Sequence, residues 1–127
     1  MKNLTEHINR LNEDLQFERY PREGSAVFYC RGAFALVSHR QLDELFAAIR
    51  DAEEKQIAID MREVGHIDST GVGTLAMCLK HAMAQKKRII LVTNDAVRRA
   101  LVTAALDTIF VQADSVEAAL ERLATGR

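Results

Sequence analysis

One seven-residue stretch, Ile67-Asp68-Ser69-Thr70-Gly71-Val72-Gly73, constrains this chain more than any other. An apolar run, Ile57-Ala58-Ile59-Asp60-Met61, precedes it. A repeat that places Val72, Leu75, Ala76, Leu79 and Met83 at near-helical spacing follows it. Asp68, Ser69 and Thr70 therefore open a helix. Each is a good N-cap, because a short side-chain oxygen accepts a free backbone N–H of the first turn. Gly71 and Gly73 leave that turn open to close approach by another molecule. A serine hydroxyl thus stands at the positive end of a helix dipole, a place that also tolerates phosphate. Two readings are open from these residues alone: a capped helix with small residues for packing, or a binding site.

Catalytic readings fare worse. Gly71-Val72-Gly73-Thr74-Leu75-Ala76 matches G-x-G-x-x-G/A, but ten residues separate Asp60 from Gly71. That fingerprint needs its first glycine directly after a strand. A nucleophile elbow needs glycines two residues either side of the serine, and Ser69 has Ile67 and Gly71 there. The nearest base in sequence is Asp68, whose carboxylate suits a cap. His66 on a loop does not complete a triad. Ser69 reads as a substrate site rather than a nucleophile. Neither enzyme activity nor a cofactor is expected.

The rest of the chain has alternating elements. Gln16-Phe17-Glu18-Arg19-Tyr20 and Ala26-Val27-Phe28-Tyr29-Cys30 read as a hairpin around the turn Pro21-Arg22-Glu23-Gly24, ended by Gly32. Ser38 to Gln41 outlines a capping box before a helix with Leu42, Leu45, Phe46 and Ile49 on its inner face. Residues 62 to 67 read as the loop into the motif. Arg88-Ile89-Ile90-Leu91-Val92 is a strand, and Asn94 and Asp95 cap a helix with Val97, Leu101 and Ala104 inside. Ile109-Phe110-Val111 is a short last strand. Asp114 and Ser115 cap a final helix with Val116, Ala119, Leu120 and Leu123. The predicted core is Val27, Leu42, Leu45, Phe46, Ile49, Ile57, Ile59, Leu75, Leu79, Ile90, Val92 and Leu101. Helices between strands imply right-handed parallel crossovers. The expected fold is α/β, a mixed sheet of about four to five strands with about four helices mostly on one side. Residues 1 to 14, with Leu4, Ile8, Leu11 and Leu15 spaced for a short amphipathic helix, read as an extension before a domain over 15 to 127.

Length and charge narrow the class. A chain of 127 residues suits one domain with one core. A net charge of −1 with interspersed signs argues against nucleic acid as a direct partner. Lys86-Lys87-Arg88 and Arg98-Arg99 sit where helix ends or solvated faces are expected. Cys30 and Cys78 read as reduced, half-buried thiols, and no metal spacing links them to His7, His39, His66 or His81. The start lacks the apolar core of a signal peptide, and no apolar run approaches the ~20 residues of a membrane span. A cytoplasmic location is the expectation.

The motif resembles the phosphorylation-site signature of the STAS domain, found in anti-sigma factor antagonists. That pattern is an apolar strand, a loop, then Asp-Ser-Ser/Thr-Gly-x-Gly opening a helix. The likeness runs from about residue 25 to 121, through Arg88 to Val92, Asp107-Thr108-Ile109-Phe110 and Ser115 to Leu120. It implies a STAS-like single domain that is a switched protein–protein module. Unphosphorylated, such a protein binds an anti-sigma factor that is also a serine kinase, and so frees a sigma factor. The kinase phosphorylates the serine after the motif Asp, here Ser69. The complex then falls apart, and a metal-dependent serine/threonine phosphatase resets it. The implied contact surface is Asp68, Ser69, Thr70, Gly71, Val72 and Gly73, with the protein a monomer or weak homodimer.

The chain departs from the family at three places. Many members carry Gly-x-apolar-Asp after the second strand, and here Gly32-Ala33-Phe34-Ala35 stands there. Phe34 either replaces the missing acid as an exposed apolar contact or packs inside. The N-terminal extension is longer than the minimal domain, and Thr70 replaces the commoner second serine. Three alternatives remain: a STAS scaffold subunit of a signalling assembly, the STAS subunit of a lipid-transport ABC complex, and a small enzyme using Ser69 or Asp68.

Overall fold

The computed structural model describes residues 14–126. Five strands, β1 (Gln16–Arg22), β2 (Ser25–Phe34), β3 (Gln56–Ile67), β4 (Arg88–Val92) and β5 (Val111–Ala113), form one sheet in sequence order. Only β1 runs antiparallel, and the other three pairings are parallel. The helices are α1 (His39–Asp51), α2 (Ser69–Ala84), α3 (Asp95–Thr103) and α4 (Val116–Thr125), with a single 3-10 turn at Leu36–Ser38. The helix expected over residues 1 to 14 lies outside the described residues except for Asp14, which bridges to Ala33.

The hairpin turn is tighter than its sequence implied. Pro21 belongs to β1 and pairs with Ala26. An edge strand tolerates proline because its outward N–H has no ladder partner to lose. The turn proper is Glu23-Gly24, both at positive φ (50° and 87°). Such two-residue turns carry a twist that matches the flanking strands. Gly32 does not end β2. It sits at φ 99° beside a register shift, and the strand continues to Phe34.

Residues 62 to 67 are not a loop. β3 runs 12 residues. It pairs with β4 only from Gln56 to Asp60, but with β2 as far as Phe34↔Ile67. β2 and β3 therefore leave the sheet together as a two-stranded ribbon. The free edge of β3 is closed by Asn94, whose Nδ2 donates to the carbonyls of Val64 (2.9 Å), Arg62 (3.1 Å) and Met61 (3.3 Å). Its Oδ1 accepts from Val97 N at 2.9 Å, so the same side chain caps α3.

Two cores flank the sheet. The larger lies under α1, α2 and α3 and holds Phe28, Phe34, Leu42, Leu45, Ile57, Ile59, Leu75 and Leu101. The smaller lies under α4 and holds Val27, Ala58, Ile90, Val92, Ala119 and Leu123. Helices mostly on one side is thus the arrangement found. Of the predicted core, Phe46 and Leu79 are only partly buried at its margin. Phe46 meets His81 edge to face across α1 and α2, with centroids 5.6 Å apart. Ala104 is exposed just past α3, and Ile109 is exposed before β5, which begins at Val111.

Two polar residues differ from expectation. Ser38 makes no cap bond to α1; its Oγ accepts from Leu15 N at 2.9 Å, fastening the entry to β1. Lys87 is buried rather than solvated. Its ammonium donates to the carbonyls of Ala52 (2.5 Å), Arg50 (3.0 Å) and Ile49 (3.3 Å). A helix ends with carbonyls that lack intrahelical partners, and Lys87 supplies donors to those of α1. Burial, with Lys55 adding, pulls its pKa below the ordinary lysine value against the opposing pull of Asp51 and Glu54.

Candidate functional site

The β2–β3 ribbon ends with Phe34 and Ile67 abreast. The next residues of the two strands, the turn at Leu36–Ser38 and the start of α2, are thereby brought side by side. Asp68 N donates to Phe34 O at 3.4 Å and closes this corner.

Asp68 is the N-cap of α2. Its Oδ1 accepts from Thr70 N (2.9 Å) and Gly71 N (3.2 Å), and its Oδ2 accepts from Leu36 N at 3.0 Å. One carboxylate thus satisfies the first turn of the helix and holds the opposite loop. Partial burial pushes its pKa up, but the N–H groups of Leu36, Gly71 and Thr70, with His66 adding, outweigh this and hold it below the usual carboxylate value. A depressed carboxylate with both oxygens engaged makes a poor proton acceptor. Asp68 is thus committed to structure rather than poised as a base for Ser69.

Ser69 is the first residue of α2 and is exposed. Its hydroxyl has no partner among the described residues. Thr70 is half-buried, one step further in. Its hydroxyl does not turn back to the backbone; it is Thr74 Oγ1 that donates to Thr70 O at 3.1 Å. Between the two, only Ser69 presents an exposed, unengaged hydroxyl.

The two glycines differ. A Cβ on Gly71 would lie 1.8 Å from Phe34 O and 2.8 Å from the Phe34 ring. Gly71 is therefore glycine because α2 is pressed against the end of β2, not because another molecule approaches. A Cβ on Gly73 would meet nothing within 4 Å, so that side is open. Gly71 and Val72 are both buried, which withdraws them from the expected contact surface.

Phe34 is also withdrawn. It is fully buried in the main core, so it packs rather than replacing the missing acid as a contact. The exposed apolar groups of this corner are its neighbours Leu36 (62% exposed) and Val37 (58%). The signal that could have found them is Ala35-Leu36-Val37, an apolar tripeptide with no helical or strand period to bury it. The surface here is therefore Ser69, Thr70 and Gly73, rimmed by Leu36 and Val37, with Asp68 at its root.

No described helix is long and apolar enough to cross a membrane. The fold matches that of an anti-sigma factor antagonist from Mycobacterium paratuberculosis with a TM-score of 0.77, at 19% identity over 87% of this chain and 95% of that one. It matches an anti-sigma-factor antagonist (STAS) domain protein from Planctomyces limnophilus with a TM-score of 0.71, at 17% identity over 85% of this chain and 97% of that one. The phosphorylated form of the Bacillus cell fate determinant SpoIIAA gives a TM-score of 0.63, at 20% identity over 84% of this chain and 98% of that one. The STAS_2 family model, described as "Mlab, STAS domain", matches residues 22–112, well over half of the sequence, and the chain belongs to that family of STAS domains.

Proposed function

We propose that this protein is an anti-sigma factor antagonist, a binding module switched by phosphorylation of Ser69. Unphosphorylated, it binds an anti-sigma factor that is also a serine kinase and so releases a sigma factor in the cytoplasm. A serine/threonine phosphatase resets it. The observation that carries this reading is the exposed, unpartnered hydroxyl of Ser69 at the first position of α2, beside an Asp68 wholly committed to holding the corner together. The similarity in fold to anti-sigma factor antagonists supports the same class.

The physics of the switch follows from that geometry. Phosphate adds about −1.5 to −2 charge at pH 7. The N–H groups of Thr70 and Gly71 already donate to Asp68. A phosphate on Ser69 therefore stays outward, next to a carboxylate, on the face that a partner would cover. Docking then requires desolvating that charge beside Asp68, which is costly. The fold keeps its cap, while the interface loses its complementarity.

Binding of purified anti-sigma kinase to wild type, Ser69→Ala and Ser69→Glu tests the proposal. Ser69→Ala keeps wild-type affinity and cannot be switched off. Ser69→Glu binds more weakly. Equal affinity of all three contradicts the switch. Stable co-purification with an ABC ATPase, with affinity independent of Ser69 phosphorylation, would instead assign the protein to the transport reading.

A further inference from the structure

The later part of the apolar repeat on α2, Ala76, Leu79 and Met83, turns away from the buried line of the helix. The buried line of the helix is Gly71, Val72, Leu75, Cys78 and Ala82. Met83, at the end of the repeat, is 68% exposed, and Ala76 and Leu79 are only partly covered. They form one wall of a groove of about 280 Å³, with Lys80 on its rim. The other wall is Leu106, Ile109 and Phe110, from the segment between α3 and β5. Phe110 is the buried floor, and Ile109 is 55% exposed.

The groove lies along the same stripe of α2 as Ser69. Residues spaced i, i+4, i+7, i+11 and i+14 share one stripe of a helix. From Ser69 these are Gly73, Ala76, Lys80 and Met83. The stripe is roughly 21 Å long at about 1.5 Å per residue. Gly73 lies on it and bears no side chain, and a Cβ there would meet nothing within 4 Å. A partner seated on Ser69 thus has Gly73 and then the groove at Ala76 and Met83 ahead of it on the same stripe. Lys80 has no carboxylate partner among the described residues, so the complementary occupant is acidic there. A cavity of about 150 Å³ takes a benzene ring, so the groove has room for one aromatic or two aliphatic side chains.

We propose that this groove is the second half of the Ser69 interface, an anchor for an apolar side chain of the same protein partner, next to a carboxylate of that partner that meets Lys80. The inference rests on the Ser69 reading and adds a recognition site that phosphorylation does not touch. Ser69 then decides whether the partner stays, and the groove decides which partner comes.

The test uses the full chain, with the purified anti-sigma kinase of the same genome as the probe. Met83→Glu, Ile109→Glu and Lys80→Glu alter exposed side chains, so each variant folds. Met83→Glu and Ile109→Glu are expected to weaken kinase binding about tenfold or more, as buried interface anchors do. Lys80→Glu is expected to weaken it and to flatten its salt dependence. With kinase in excess, all three still take phosphate on Ser69. Affinities within about twofold of wild type, alongside clear weakening in Ser69→Glu, overturn the groove and leave the Ser69 reading standing. A wild-type dimer that Met83→Glu dissolves, with kinase affinity unchanged, also overturns it and gives the groove to a second copy. A wild type that the kinase neither binds nor phosphorylates overturns both.

Discussion

Asp68 Oδ2 accepts the backbone N–H of Leu36 at 3.0 Å, across a gap of 32 residues in sequence. The same carboxylate caps α2 through Oδ1. The motif aspartate is therefore a tie between two loops as well as a helix cap, and it fixes where Leu36, Val37 and Ser69 sit relative to one another.

Asp68→Asn tests this tie. An amide has one acceptor oxygen and one donor group. It can cap the helix or hold Leu36, but not both, and its NH2 then faces a backbone N–H. The variant should lose on the order of 1–3 kcal/mol of stability in urea unfolding. Asp68→Ser, which still caps but cannot reach across, should also be destabilised. The pH dependence has a definite sign. The folded-state pKa of Asp68 is lowered, so its contribution is fully present above the unfolded carboxylate value of about 3.9 and is lost as pH falls through the folded value. The stability gap between wild type and Asp68→Asn should narrow below about pH 4.

Gly71 and Gly73 should respond in opposite ways. Gly71→Ala forces a methyl into the Phe34 carbonyl, and should cost about 1–3 kcal/mol or more. Gly73→Ala meets open space, and should stabilise the helix by about 0.5–1 kcal/mol. Gly73→Val should leave the circular dichroism spectrum unchanged and weaken partner binding. Chemical denaturation paired with a binding titration separates these effects. Normal affinity in Gly73→Val would mean that no partner passes over that face.

The sequence was legible where a pattern is local. The caps Asp68, Asn94 and Ser115, the hairpin and the order of elements all follow from short-range spacing. What was not legible depends on pairing across distance. Arg62, Glu63, Gly65 and His66 look like loop residues because a two-stranded ribbon has exposed faces and no strict alternation, yet β2 holds them as strand. On α2 the large apolar residues stand out in the sequence, and of the two expected in the core Leu75 is buried while Leu79 lies at its margin. Close packing also selects the small residues Gly71, Cys78 and Ala82 beside Val72 and Leu75. The constraint on Gly71 comes from a carbonyl of Phe34 on another strand, and no local motif encodes it.

Lys87 makes the same point and gives a further prediction. Lys86-Lys87-Arg88 reads as a charged turn, but the three carbonyls around the Lys87 ammonium end α1. Lys87→Met keeps most of the volume and removes the donors. It should lower stability by about 1–3 kcal/mol, whereas Lys86→Met, at an exposed site, should change it by less than about 0.5 kcal/mol. Similar urea midpoints for the two variants would show that the α1 carbonyls are satisfied by water instead.

The most direct measurement is site-mapped mass spectrometry of the full chain after incubation with ATP and its anti-sigma kinase, followed by binding of that kinase to the modified protein. The account predicts a single phosphate on Ser69 and none on Thr70. It also predicts a large loss of affinity and a melting temperature close to that of the unmodified protein, since a helix N-terminus tolerates negative charge. Phosphate on another residue, or unchanged affinity with Ser69 phosphorylated, would contradict it.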